Sequence, residues 1–186
     1  MENFKITTKI ISKDEILNSY SEIDSLYKSM IEYLYTGSNN NGLTVKNISV
    51  SDYRINNSSL SEWNDYSGVY IFMKDRFPVY IGKAGTASMN FLERINQELA
   101  CYGPDSNNQN KIKNNCNTLS RKIQKIDLLL NSSLHFNNQS DLGDYSLTTI
   151  NSFYLIFVKS GEKGDNDSAT ALEAVLVALF HPKYNA

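Results

Sequence analysis

Tyr70 and Tyr80 stand ten positions apart in two short strand-like runs, Gly68-Val69-Tyr70 and Tyr80-Ile81-Gly82, and Lys83 follows the second run directly. Farther along come a lone arginine in a helical run, Arg94, and a lone glutamate in a strongly apolar one, Glu173. These residue types suit metal-assisted cleavage of a phosphodiester. That reaction requires an activated water, neutralisation of charge on a pentavalent transition state and help for the leaving oxygen. The planar fork of an arginine can grip a phosphate bidentately, which lysine cannot match. A single carboxylate such as Glu173 can hold one Mg2+ that keeps most of its waters. A phenol, with an ordinary pKa of about 10, acts as a base near neutrality only where cations or a metal favour its phenolate. Lys83 would supply such a field if a hairpin brings it beside Tyr70.

Each residue also has a plainer explanation. Strand tyrosines are mostly core residues with a satisfied hydroxyl, and the chain has twelve tyrosines. Glu173 follows Thr170 by three positions and could complete a helix capping box. Against that, it is the only charge between Ser168 and Phe180, where a buried carboxylate needs a partner or a metal. His135 and His181 read as a loop residue and a residue near the chain end.

The elements that must position these groups can be read from periodicity. Gly68 to Met73 and Val79 to Gly82 are β-branched and aromatic, with turn residues between them, so a hairpin is expected. Asn90 can cap a helix running to about Ala100, with Phe91, Ile95 and Leu99 on one face. A second helix is expected over Thr118 to Leu130, a strand over Ser152 to Lys159, and a last helix over Ser168 to Phe180, stopped by Pro182. Two polar stretches, 102–117 and 131–147, read as long insertions or loops.

Ahead of the hairpin, Ile16, Tyr20, Ile23, Tyr27, Met30 and Leu34 form an amphipathic stripe, with Ser12 and Glu15 as its capping box and Gly37 past its end. A strand over Leu43 to Val50 and a helical turn over Leu60 to Trp63 follow. Residues 1–66 therefore read as an accessory arm, and residues 67–186 as the main α+β domain with three strands.

Composition sets outer limits. The 186 residues are 41% hydrophobic and 20% charged, as in a globular protein. No apolar run is long enough to span a bilayer, and the first residues have no signal-peptide core. Two cysteines without a CxxC pattern indicate neither a disulfide framework nor a zinc site, which makes a reducing cytoplasm the expected location. The net charge of −2 argues against a polyanionic partner, but the average hides an asymmetry. Between Lys74 and Lys125 there are nine Lys and Arg against four Asp and Glu, a local excess that would steer a polyanion or simply form a solvated face.

Taken together, Gly68-Val69-Tyr70, Tyr80-Ile81-Gly82-Lys83, Arg94 in the next helix, and Glu173 with Pro182 and Asn185 beyond it resemble the GIY-YIG nuclease family over residues 67–185. The resemblance implies a small three-stranded antiparallel sheet flanked by helices, with Mg2+-dependent (or Mn2+-dependent) endonuclease activity on DNA. It also implies roles. Tyr70 would be the general base or its close helper, Tyr80 and Lys83 would orient and polarise the nucleophile, Arg94 would bind the phosphate and Glu173 the metal. Gly68, Gly82 and Asn185 would support the site. The chain departs from the pattern at Glu98, where many members carry His or Tyr four residues after the arginine. A carboxylate there could relay a proton or pull Arg94 aside.

Within the family the chain looks like the compact restriction endonucleases, whose polar insertions could read bases. A repair or mobile-element nuclease is an alternative, and a catalytically silent module that keeps the fold and binds nucleic acid or protein is another. Symmetric cutting of a palindrome would call for a homodimer with the N-terminal helix as one contact, although packing on its own domain explains the same stripe.

Overall fold

Strands β2 (Tyr66–Lys74) and β3 (Phe77–Ala84) form the expected hairpin. Asp75 and Arg76 both take positive φ, 49° and 69°, the mirror-image turn whose twist matches that of paired strands. In this computed structural model the described residues are 45–55, 58–85, 89–99, 119–131, 133–136 and 139–185, with residues 25, 28, 29 and 32. The last four are helical, and the rest of the expected N-terminal helix lies outside the described residues, as does the polar stretch 102–117.

The described residues form an α+β fold with one four-stranded antiparallel sheet, in the order β1-β4-β2-β3, and five α-helices. The expectation of three strands is therefore corrected. Strand β1 (Val45–Ser49), expected as a strand outside the sheet of the main domain, pairs along β4 (Tyr154–Glu162), which in turn pairs with β2. Its pairing partner lies more than a hundred positions away, so nothing local announces the contact. The helices are α1 (Val50–Ile55), α2 (Phe91–Leu99), α3 (Leu119–Leu130), α4 (Gln139–Asn151) and α5 (Asn166–Phe180). Helix α4 overturns the reading of 131–147 as a loop. Among its described side chains the buried ones are Ser146 and Ile150, with Tyr145 partly buried beside them, so a largely polar sequence hides the helical stripe. Among the described residues no helix is long and apolar enough to cross a membrane.

Alternation along the strands splits the core in two. One face carries Tyr70, Phe72, Tyr80, Leu155 and Phe157, packed against Phe91 and Ile95 of α2, Leu119 and Ile123 of α3, and Trp63. The other carries Val69, Ile71, Met73, Ile81, Ile156 and Val158 beneath Leu176 and Phe180 of α5. Central strand β2 is thus covered on both sides, whereas β3 lies at the sheet's edge.

Asp165 caps α5 by accepting from the Ser168 N–H at 3.1 Å, so Glu173 is not a capping-box residue and its carboxylate is left for other work. Past the helix, His181 ends it in the left-handed conformation, and the short turn Lys183–Asn185 returns to β3. There Asn185 Oδ1 accepts from the Ile81 N–H at 2.8 Å, and its Nδ2 donates to the Ile81 carbonyl at 2.7 Å. One side chain so occupies both backbone groups of an edge residue, which blunts the edge.

Gly68 lies where β2 shifts register against β4, and a Cβ there would collide with the Val158 carbonyl. Because the obstacle is backbone in a sheet centre, Gly68→Ala is expected to destabilise the fold by about 2 kcal/mol or more, as overpacked cores do. Urea denaturation measures it; a loss below about 0.5 kcal/mol would mean that the strands separate easily.

Candidate active site

The pairing register sets the site. Tyr70 lies opposite Gly82, and Phe72 opposite Tyr80, all on the face covered by α2 and α3. A Cβ on Gly82 would strike the Tyr70 ring and hydroxyl, so the glycine is the space across which Tyr70 lies. Lys83 lies opposite Val69, on the α5 face. The hairpin therefore does not bring Lys83 beside Tyr70, because neighbouring residues on a strand point to opposite faces. Instead the Lys83 ammonium donates to Thr170 Oγ1 on α5 at 2.7 Å, one turn before Glu173.

On the α2 face the groups converge on Glu98, whose side chain is only 1% exposed. Its Oε1 accepts from the Tyr70 hydroxyl at 2.9 Å and the Tyr80 hydroxyl at 3.2 Å, and pairs with Arg94 Nη2 at 3.0 Å. Its Oε2 accepts from the Leu119 N–H, the start of α3, at 2.7 Å. Four donors on one buried carboxylate satisfy it as burial demands. Asn90 and Glu93 exchange side-chain and backbone hydrogen bonds at the start of α2, a capping box that fixes the helix bearing both Arg94 and Glu98.

Arg94 lies one turn before Glu98. Its Nε donates to Tyr70 Oη at 3.1 Å and its Nη1 to Gln97 Oε1 at 2.7 Å. With Nη2 on Glu98, the described residues engage three of its five N–H groups and leave two for a ligand. Its side chain is 30% exposed, so those two can be reached. Burial works against its charge, but Tyr70 and Glu98 more than offset this and hold it firmly protonated.

Tyr70 is a protonated phenol in this setting. Burial first, then the Glu98 charge, push its pKa well above the ordinary value, while Arg94 pulls the other way without prevailing. Burial and Glu98 raise Tyr80 in the same way. Glu173, half-buried on α5, is raised by burial, against the pull of Lys83, Arg94 and Lys122. It therefore feels cations carried by β3, α2 and α3, yet among the described residues it forms no hydrogen bond or ion pair. A hard oxygen donor that is partly desolvated and not directly partnered fits one octahedral Mg2+ completed by water. Among the described residues no group of three or more His, Cys, Asp and Glu gathers into a richer metal site.

The expected residues thus fall into two half-sites. Tyr70, Tyr80, Arg94 and Glu98 meet on one face; Lys83 and Glu173 lie on the other; Asn185 clamps the edge between them. His135 and His181 are exposed and take no part. One residue escaped notice in the sequence. Lys122 of α3 sets its ammonium 4.6 Å from the centre of the Tyr80 ring, and its charge is felt by Glu98, Arg94 and Glu173. It stood inside a basic segment as one lysine among several, with no spacing to distinguish it. Comparison with protein-family models, curated proteins and solved structures found no match to this chain.

The raised phenols have a consequence for stability. A phenol whose pKa is higher in the folded than in the unfolded chain contributes fully below the unfolded value, and that contribution is lost as pH climbs past it. The free energy of unfolding should accordingly fall above about pH 10, and less steeply in Tyr70→Phe than in the wild type. Urea titrations at stepped pH test this; identical slopes would mean that Tyr70 titrates as an ordinary phenol.

Proposed function

We propose that this chain is a Mg2+-dependent endonuclease that hydrolyses DNA phosphodiester bonds, a compact restriction-enzyme-like member of the GIY-YIG nucleases. The observation that carries the reading is that Tyr70, Tyr80 and Arg94 meet on one face while the half-buried Glu173 of α5, without a partner among the described residues, is near enough to feel the charge of Arg94. Such a set has no evident structural purpose in Glu173, whose half-buried charge disfavours folding.

In this reading the scissile phosphate lies at the edge of β3 and accepts the two remaining N–H groups of Arg94. Mg2+ or Mn2+ held by Glu173 would neutralise a phosphate oxygen and stabilise the charge that develops in the transition state. Tyr70 cannot begin as a phenolate, so it works as one link of a relay. As the water oxygen bonds to phosphorus, a water proton passes to Tyr70 Oη while the Tyr70 proton passes to Glu98 Oε1 at 2.9 Å. The P–O bond to the leaving group breaks, and that oxygen takes a proton from solvent. Arg94 Nε, donating to Tyr70 Oη, limits the negative charge there. Glu98 thus replaces the family's usual residue as the proton acceptor, and Tyr80 orients it through the same oxygen. Lys83 contributes positive potential beside Glu173.

A second reading, a silent module that binds nucleic acid or protein, is favoured by one observation: Tyr70 and Arg94 are both tied to Glu98. Incubation of the purified protein with plasmid and Mg2+, followed by sequencing of the ends, separates the two. Cleavage is expected to fall at least about 100-fold, roughly 2.7 kcal/mol of transition-state stabilisation, in each of Glu173→Gln, Tyr70→Phe and Arg94→Lys. Because burial raises the Glu173 pKa, its ionised form opposes folding at neutral pH, so Glu173→Gln should unfold at the same or a higher urea concentration. Undiminished cleavage in Glu173→Gln would remove its metal role, and tight DNA binding with no cleavage under any condition would favour the silent module. Ends at one recurring sequence would mark a restriction enzyme; scattered ends or ends at branched structures would point to a repair or mobile-element nuclease.

A further inference from the structure

Lys122 is the cation on the Glu98 face whose place the described residues do not explain. Glu98 fixes the Leu119 N–H at 2.7 Å, which anchors the first turn of α3 and sets Lys122 one turn later. From there its half-buried ammonium lies over the Tyr80 ring, 4.6 Å from the centroid. Among the described residues it makes no ion pair and no side-chain hydrogen bond. Glu98 already receives four donors, and Glu173, although near enough to be felt, is not in contact. Arg94, of like charge, adds to the cost, as does burial. A half-buried cation beside another cation, with only a ring face for company, fits a place that an anion completes.

We propose that Lys122 is a further substrate-contacting residue of this site, whose ammonium takes a non-bridging oxygen of the nucleic-acid backbone at the phosphate bound by Arg94 or its neighbour. The inference rests on the nuclease reading of the same site. It extends the phosphate contacts from the hairpin and α2 to α3, so that Arg94 and Lys122 grip the backbone from two helices while Lys83 serves the opposite face. Glu98 gains a second duty, as the joint that fixes the helices bearing both cations. The Tyr80 ring, with its hydroxyl turned to Glu98, forms the floor beneath the Lys122 ammonium.

The test uses the full chain and a fluorescent 20-base-pair duplex in EDTA, with anisotropy titrations across a series of salt concentrations. Neutralising one phosphate contributes about 0.9 to the slope of log K against log salt. Lys122→Met, which keeps the apolar stem, is expected to lower that slope by about 0.9 and to cut Mg2+-dependent cleavage at least about tenfold. Lys122→Arg should restore both, and Lys163→Met, in the exposed turn after β4, should change neither. If Lys122→Met folds poorly, Lys122→Gln is judged by the same slope. An unchanged slope overturns the proposal, including the case in which cleavage alone falls, since that would be a structural effect. If the wild type binds with a Lys122-dependent slope but never cuts, the nuclease reading fails and the phosphate contact stands. If it cuts equally well with or without Lys122, the reading stands and the contact fails. A wild type that neither binds nor cuts duplex DNA removes both.

Discussion

A carboxylate that is 1% exposed must be satisfied from every side, and Glu98 is satisfied by groups from four different elements. Taking such a group out of water costs several kcal/mol even after the protein relaxes, so each missing donor would be strongly felt. The Tyr70 and Tyr80 hydroxyls tie it to β2 and β3, Arg94 to its own helix, and the Leu119 N–H to the beginning of α3. The positions of both tyrosines, of the arginine and of the helix bearing Lys122 are therefore solutions to one electrostatic requirement. The same arrangement sets a carboxylate hydrogen-bonded to a phenol at 2.9 Å, so in the proposed reaction the structural anchor is also the proton acceptor.

A second buried carboxylate works in the same way at the other end of α3. Asp127, 5% exposed, accepts from the Tyr145 hydroxyl at 2.8 Å and the Tyr184 hydroxyl at 3.1 Å, and pairs with Lys183 at 2.7 Å. It thereby holds the turn after α5 in place, and that turn carries Asn185 to both backbone groups of Ile81. Helix α3 is thus pinned at its start by Glu98 and near its end by Asp127, and through the second pin it steadies the edge strand that bears Tyr80 and Lys83. The polar clusters specify how the layers meet, whereas the apolar residues of the two cores provide the general drive to pack them.

In the proposed site, the edge position of β3 is what lets residues of both faces act together. Successive residues of a strand point in opposite directions, so Tyr80 and Lys83 serve different sides of the sheet, and only around an edge can such groups act on one ligand. Gly82, between them, leaves room for Tyr70 to lie across the strand. A central strand, covered on both sides as β2 is, would have separated the two half-sites completely.

Local pattern was enough to place the hairpin, helices α2, α3 and α5 and strand β4, because each has a strong apolar periodicity or a run of β-branched and aromatic residues. It was also enough to nominate Tyr70, Tyr80, Arg94 and Glu173 and to mark Glu98 as the unusual residue. It failed for α4, whose described buried side chains are few and partly polar, and although it placed a strand at β1, it did not place that strand in the main sheet, because its partner lies far away in the chain. It could not distinguish Lys122 from its neighbouring lysines, and it set Lys83 beside Tyr70 when the strand pleat separates them. The sequence by itself determined which residue types were on hand and the periods of most elements, since these depend on neighbours a few positions apart. Only the tertiary structure decided that Glu98 gathers the tyrosines and arginine and that Glu173 comes within reach of the Arg94 charge, because burial and long-range pairing exist only once the chain has closed on itself.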